Sequence, residues 1–175
     1  MKISVVIPTK NRFLSLRAVL DSLLDQTFSD NLQMEVIIVD NGSRDATAEI
    51  VKDYRHYFGQ RLMYLYYADP GASRARNFGI QSAKGEIIAC IDDDAIPDKN
   101  WIQTMADFFR GHPDAVAVGG RILALYPPGT SPWVIRNGDF FCGPVIFHDY
   151  GEDIRPYDET MFPLITANAA FRRSA

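Results

Sequence analysis

The sequence predicts an α/β fold, a mostly parallel, Rossmann-like open sheet with flanking helices. Two observations carry this prediction. Short runs rich in β-branched residues alternate with segments of helical periodicity through the first two thirds of the chain, the pattern of βαβ units. At 175 residues and 47% hydrophobic content, the chain can also bury one sizeable core.

Residues 2–7 read as the first strand and Pro8-Thr9-Lys10-Asn11 as the turn out of it. A helix follows over 12–24, because Phe13, Leu16, Leu20, Leu23 and Leu24 recur at helical spacing. Residues 34–39 form the second strand, which ends in Asp40-Asn41-Gly42-Ser43, a turn whose Ser43 is expected to cap a helix running towards Phe58. Residues 62–67 make a third strand, and Asp69-Pro70-Gly71 breaks the chain before a helix over 73–83 that Lys84-Gly85 closes. The apolar run 86–91 is a buried strand ending in Asp92-Asp93-Asp94. Asp98 is expected to cap a helix with Trp101, Ile102, Met105 and Phe109 on one face, and 115–122 reads as a further strand. The pattern then gives way to a Pro-, Gly- and aromatic-rich stretch over 124–163, too long to be a plain connection, before a strand-like pattern returns over 164–172.

Composition excludes several classes. A net charge of -4 and a pI near 5.3 leave no electrostatic footprint for a nucleic acid, although small phosphates remain compatible. Cys90 and Cys142 are the only cysteines, with no CxxC and no Cys/His cluster, so neither a disulfide framework nor a zinc site is implied. The short apolar start does not read as a signal peptide and no run reaches transmembrane length, so a reducing cytoplasm is the expected location.

Chemistry concentrates where strands end. In open parallel sheets ligands bind beyond the carboxyl ends of the strands, and there the sequence sets Thr9 and Asn11, Asp40, and the aspartate triplet, while Arg74 and Arg76 open the helix after the third strand. An oxygen-only cluster suits a hard cation such as Mg²⁺ or Mn²⁺, which in turn holds phosphate; a solvated acidic turn is the plain alternative for the same triplet. Asp40 can accept the imino N–H of uracil, thymine or guanine, a donor that adenine and cytosine lack. Arg76, and Arg74 beside it, can neutralise diphosphate oxygens near a helix start. Neither GxGxxG nor GxxxxGK[ST] is present, so nucleotide binding has to rest on carboxylates, metal and arginine.

Several motifs together resemble the inverting nucleotide-sugar glycosyltransferases of family 2, which have the GT-A fold. Ser4-Val5-Val6-Ile7-Pro8-Thr9-Lys10-Asn11-Arg12 resembles that family's opening strand and turn, and Val36-Ile37-Ile38-Val39-Asp40-Asn41-Gly42-Ser43 its second strand. Gly71-Ala72-Ser73-Arg74-Ala75-Arg76-Asn77-Phe78-Gly79 resembles the Ala-Arg-Asn segment, and Asp92-Asp93-Asp94 the DxD motif. The resemblance implies Pro8 and Thr9 backbone with Asp40 at the nucleoside of a nucleoside-diphosphate sugar, and Asn11, Arg12, Arg74, Arg76 and Asn77 at the donor site. It further implies Asp93 near the ribose or donor sugar, and Asp94 with Asp92 on Mn²⁺ or Mg²⁺. A UDP-sugar is the expected donor, and a glycan or lipid-linked molecule the acceptor, in polysaccharide or glycoconjugate synthesis. Relatives of this kind also suggest peripheral attachment to the inner membrane face.

Asn168-Ala169-Ala170-Phe171-Arg172-Arg173 resembles the family's acceptor-side strand, after which the catalytic carboxylate comes. The base is therefore expected beyond Ala175, with residues 1–123 as a nucleotide-sugar-binding α/β domain and 124–175 as the start of an acceptor-side region. Glu152-Asp153 form a Glu-Asp pair that stands out of family order. Trp133, Phe140, Phe141, Pro144 and Phe147 either pack as core or lid, or stack on an acceptor. Two other readings compete: a non-catalytic nucleotide-sugar binding module, and a sugar-phosphate nucleotidyltransferase, against which the glycine-free first turn argues.

Overall fold

The computed structural model describes residues 1–137, 149, 151, 153–157 and 164–174. Strand β1 (Lys2–Thr9) is followed by α1 (Phe13–Leu24), β2 (Gln33–Asp40), α2 (Thr47–Phe58), β3 (Leu62–Tyr66), α3 (Ala72–Ser82), β4 (Ile87–Ile91), α4 (Trp101–Gly111), β5 (Ala117–Gly119), a short α5 (Pro132–Arg136) and β6 (Asn168–Arg172). The strands form one sheet in the order β3-β2-β1-β4-β6-β5. β1 runs parallel to β2 and β4, and β2 parallel to β3, while β6 is antiparallel to both β4 and β5. The expected mostly parallel open sheet is what the chain adopts.

β1, β2 and β4 are buried along nearly their whole length, as central parallel strands covered on both faces must be. Alternation then sorts their side chains. Ile3, Val5, Ile7, Val36, Ile38, Ile87 and Ala89 join Leu16, Leu20, Val51, Ile102 and Phe109 from α1, α2 and α4. On the opposite face Val6, Ile37, Val39, Ile88 and Cys90 pack with Ala75 and Ala83, beside the partly buried Phe78. Three helices therefore cover one face and α3 the other.

α3 lies very close to the sheet, and Gly79 is the reason. A Cβ placed there would stand 2.6 Å from Val6 Cγ1 and 2.8 Å from Val39 Cγ2. Ala75, one turn earlier, is likewise fully buried.

Four boundaries depart from the sequence reading. Ser43 does not cap α2, which begins at Thr47; Asp45 Oδ1 accepts from the Thr47 N–H and hydroxyl, while Ser43 serves the preceding loop. Asp98 stands two residues ahead of its expected role. Its side chain accepts from Asn100 N and its carbonyl from Trp101 N, and Asn100 holds the cap position. The strand expected over 115–122 shortens to β5, whose ladder partners are Phe171, Ala170 and Ala169, and the one over 164–172 to β6, whose ladder with β4 spans Asn168 to Arg172. The irregular stretch after 123 contains α5, with Pro132 in its first turn and the Ser131 side chain accepting from Trp133 N. Among the described residues, no helix is long and apolar enough to cross a membrane.

One buried carboxylate stitches the amino-terminal side of the sheet. Glu35 accepts from Ser4 Oγ at 2.5 Å and Lys84 N at 2.8 Å and pairs with Lys2 Nζ at 2.5 Å, while Ser4 Oγ accepts from Gly85 N at 2.7 Å. Burial alone would raise the Glu35 carboxyl, but the donors from Lys2, Ser4 and Lys84 outweigh it and hold the group below its ordinary 4.5.

Two outcomes follow. Gly79→Ala should lower stability by about 1–2 kcal/mol in chemical denaturation, since the clash with buried β-branched side chains exceeds the helix-propensity gain. A carboxylate whose folded value is depressed stabilises the fold at pH above its unfolded value, and that stability is lost as pH falls through the folded one. Glu35→Gln should accordingly flatten the fall in stability seen when denaturation is measured below pH 4.5.

Candidate functional site

The order β2-β1-β4 places a topological switch at β1: the chain builds outwards to β3 on one side, then crosses back to lay β4 on the other. Crevices at such points, outside the carboxyl ends of the strands, are where open α/β sheets bind ligands. The register aligns these ends, Thr9 pairing with Asp40, while the β1–β4 ladder stops at Val6 and Cys90. Pro8 thus lies beyond the β4 ladder, where its missing N–H is tolerated.

Into this crevice β4 delivers the aspartate triplet, each member with a different partner. Thr9 Oγ1 donates to Asp93 Oδ2 at 2.7 Å, and both residues are buried. Burial pushes the Asp93 carboxyl up, against the pull of Thr9 and Arg12. Arg12 makes a close ion pair with Asp94 and stands 3.5 Å from Asp93 Oδ1. On the other flank, Arg76 of α3 donates to Asp92 Oδ1 at 2.8 Å, brought there by the helix's close approach to the sheet. The Nε of Arg76 is buried without a hydrogen-bond partner among the described residues, and an unpaired buried donor is uncommon enough to need a reason.

Asp40, at the end of β2, is buried and takes two donors: Ser43 N on Oδ1 at 2.7 Å and the Tyr64 hydroxyl on Oδ2 at 2.6 Å. Asn11 adopts a left-handed φ of 54°, uncommon for a residue other than glycine. This turn lets its N–H donate to Ser43 Oγ at 2.9 Å while its side-chain oxygen accepts from Arg44 N at 2.7 Å. Asn11 therefore joins the β1 loop to the β2 loop.

The structure brings together Pro8, Thr9, Asn11, Arg12, Asp40, Arg76, Asp92, Asp93 and Asp94 at this rim. Arg74 and Asn77 are exposed on α3 and make no side-chain hydrogen bond to this set among the described residues. Asp153 is exposed and Glu152 lies outside the described residues, as do Phe140, Phe141, Pro144 and Phe147; Trp133 is exposed on α5.

The outer carboxylates do not form a metal cage. Among the described residues no three His, Cys, Asp or Glu side chains gather as ligands, because Asp92 turns to Arg76 and Asp94 to Arg12. The donor chemistry nevertheless fits Mg²⁺ or Mn²⁺ bound with a nucleotide, since such ions take one or two carboxylates and draw their other ligands from phosphate and water. Asp94, with a side chain 54% exposed, is the accessible carboxylate.

Two structural residues escaped the sequence reading. Asn41, also buried, donates from Nδ2 to the carbonyls of Tyr67 and Asp69, accepts from Gly71 N, and donates its own N–H to Thr9 O. It ties the loop that precedes α3 to the end of β1; its place in the Asp-Asn-Gly-Ser turn was the available signal. Tyr64 is the other, and period-2 alternation along β3 could have placed it on the face of Asp40, since Ile38 pairs with Tyr64 and Asp40 with Tyr66. A cavity of about 370 Å³ lined by Lys2, Phe28, Leu32, Gln33, Glu35 and Arg61 lies instead at the amino-terminal ends of β1 and β2, where Lys2 and Glu35 already satisfy each other.

Residues 4–175 match the family model described as Glycosyl transferase family 2. Among curated proteins, the chain is 32% identical over 143 residues to a glucosyl-dolichyl phosphate glucuronosyltransferase of Haloferax volcanii, covering 81% of this chain and 42% of that protein. It is 32% identical over 112 residues to the poly(ribitol-phosphate) beta-N-acetylglucosaminyltransferase TarS of Staphylococcus aureus, covering 64% of this chain and 19% of that protein. A crystal structure of S. aureus TarS 1-349 in complex with UDP superposes with a TM-score of 0.65 at 28% identity, over 75% of this chain and 38% of that one. The mannosyltransferase PcManGT from Pyrobaculum calidifontis, in complex with GDP-Man and Mn²⁺, shares the fold with a TM-score of 0.65 at 23% identity, over 98% of this chain and 44% of that one. The chain thus spans less than half the length of these relatives.

Thr9→Val should cost about 1–3 kcal/mol in chemical denaturation, because it leaves the buried Asp93 oxygen without its donor; Thr9→Ser should retain most of that stability.

Proposed function

The chain belongs to glycosyl transferase family 2, and on that premise we propose that it binds the nucleoside-diphosphate sugar, a UDP-sugar first, in an inverting transfer to an acceptor hydroxyl. One observation carries the reading: the ends of β1, β2 and β4 and the start of α3 converge on a rim where a buried carboxylate, two guanidiniums and the aspartate triplet stand together.

Each residue has a task at that rim. Asp40 accepts the imino N–H of the base, which selects uracil, thymine or guanine. Arg76 brings its guanidinium charge to the diphosphate from its place beside Asp92, and Arg12 exchanges Asp94 for phosphate. Pro8 and Thr9 supply backbone to the nucleoside, and Asp93 keeps the loop after β4 anchored to β1 through Thr9. Asp94, with Asp92, holds Mn²⁺ or Mg²⁺. Such an ion, when bound, neutralises the charge that builds on the departing diphosphate. Residues 1–123 make up the donor-binding part and 124–175 open the acceptor side.

Similarity to a glucosyl-dolichyl phosphate glucuronosyltransferase and to a poly(ribitol-phosphate) beta-N-acetylglucosaminyltransferase supports a glycan acceptor or one carried on a lipid phosphate. For a lipid-borne acceptor, we place the protein in the cytoplasm with peripheral contact to the membrane.

Calorimetric titration with UDP, dTDP and GDP, with and without Mn²⁺, tests the reading on wild type and Asp94→Asn. UDP should bind most tightly with Mn²⁺, and Asp94→Asn should weaken that binding by at least about ten-fold, or 1.4 kcal/mol. A folded protein that binds none of the three diphosphates under any condition would overturn it.

A further inference from the structure

The Tyr64 hydroxyl lies 2.6 Å from Asp40 Oδ2 and donates to it. Tyr64 reaches Asp40 along the strand, since its ladder partner is Ile38, two residues earlier on the same face of β2. Burial, followed by the proximity of Asp40, pushes the phenol well above its ordinary value, so it carries its proton at every pH the protein meets. The carboxylate is buried at 2% exposure, and its other oxygen is taken by Ser43 N.

An ionised carboxylate has about four acceptor sites and no donor. Two are filled here by fixed donors from two different elements, β3 and the loop after β2. The sites left over are acceptors in a set orientation, and they can satisfy only a ligand atom that carries a hydrogen. Were Asp40 free to rotate, it could turn an acceptor towards the exocyclic amine of cytosine instead, and the selection for a ring N–H would weaken. The discrimination expected of Asp40 thus needs a second residue that holds it.

We infer that Tyr64 is a specificity-determining positioning residue, whose hydroxyl fixes Asp40 as an acceptor for bases bearing an imino N–H. This rests on the reading of the rim as a nucleoside-diphosphate site. Tyr64 acts through Asp40, so its contribution should vanish when Asp40 can no longer accept in the same way.

The test is a double-mutant cycle of Tyr64→Phe and Asp40→Asn, with Kd measured calorimetrically for UDP, CDP and inorganic pyrophosphate in the presence of Mn²⁺, and thermal midpoints recorded alongside. Tyr64→Phe should weaken UDP about ten-fold, because Asp40 is then no longer held in its base-accepting orientation before the ligand arrives. CDP and pyrophosphate should move by less than about two-fold, so that the preference for UDP over CDP narrows. In the Asp40→Asn background the same change should shift UDP by less than about two-fold, outside the range of independent effects. Equal losses for all three ligands, or a ten-fold loss in both backgrounds, would assign Tyr64 a general structural role and overturn the inference. Unchanged UDP binding in Tyr64→Phe would overturn it while leaving the donor site intact. Failure of wild type to bind UDP, dTDP or GDP would remove the donor-site reading itself, and this inference with it.

Discussion

Parallel pairing on both sides of β1 is the constraint from which the rest of the structure follows. Because β2 and β4 run in the same direction as β1, their carboxyl ends emerge on one rim, and three loops far apart in sequence meet there. The same geometry buries the three strands on both faces, which is why they read as almost continuous apolar runs. Polar chemistry is thereby pushed to the strand ends, where the core stops. The closeness of α3, possible only because residue 79 has no side chain, carries Arg76 to that rim as well.

The rim balances its own charge. Two of the aspartates face a guanidinium each, and the third is buried against a hydroxyl. Asp40, equally buried, relies on an amide and a phenol rather than a cation. Buried carboxylates without such donors would be costly, so the loops that supply them are as much a part of the site as the acids. Asn11 and Asn41 bind those loops to one another, the first between the β1 and β2 turns, the second between the β1 end and the segment ahead of α3.

Much of this was legible in the sequence. Short β-branched runs marked the strands and the 3.6-residue period the helices, and the aspartate triplet after 86–91 pointed to the rim because a buried strand has to release its polar residues at its end. What periodicity does not encode is long-range pairing. Nothing local says that Ser43 will serve Asn11 rather than cap α2, that Tyr64 will reach Asp40, or that Asp92 will choose Arg76 and Asp94 Arg12. Arg74 and Arg76 look alike in sequence, yet little more than half a turn of α3 separates them, which exposes the first and turns the second towards Asp92. β5 is short for a similar reason, its length being set by a partner that lies some fifty residues later.

That late partner has a consequence for assembly. β6 enters the sheet between β4 and β5, pairing Ile87 with Arg172, and Arg172 also donates to the carbonyls of Phe109 and His112 at the end of α4. In chain order β6 comes after every other strand and helix described, and a chain is synthesised from its amino terminus. As the chain leaves the ribosome, every strand and helix that builds the rim is therefore available before the edge of β4 has its neighbour. In that interval β4 is an open strand edge, a template for pairing with another chain. Synthesis passes through a stage at which the rim is complete but the sheet is not, and the arrival of a single five-residue strand both seals the edge and fastens α4.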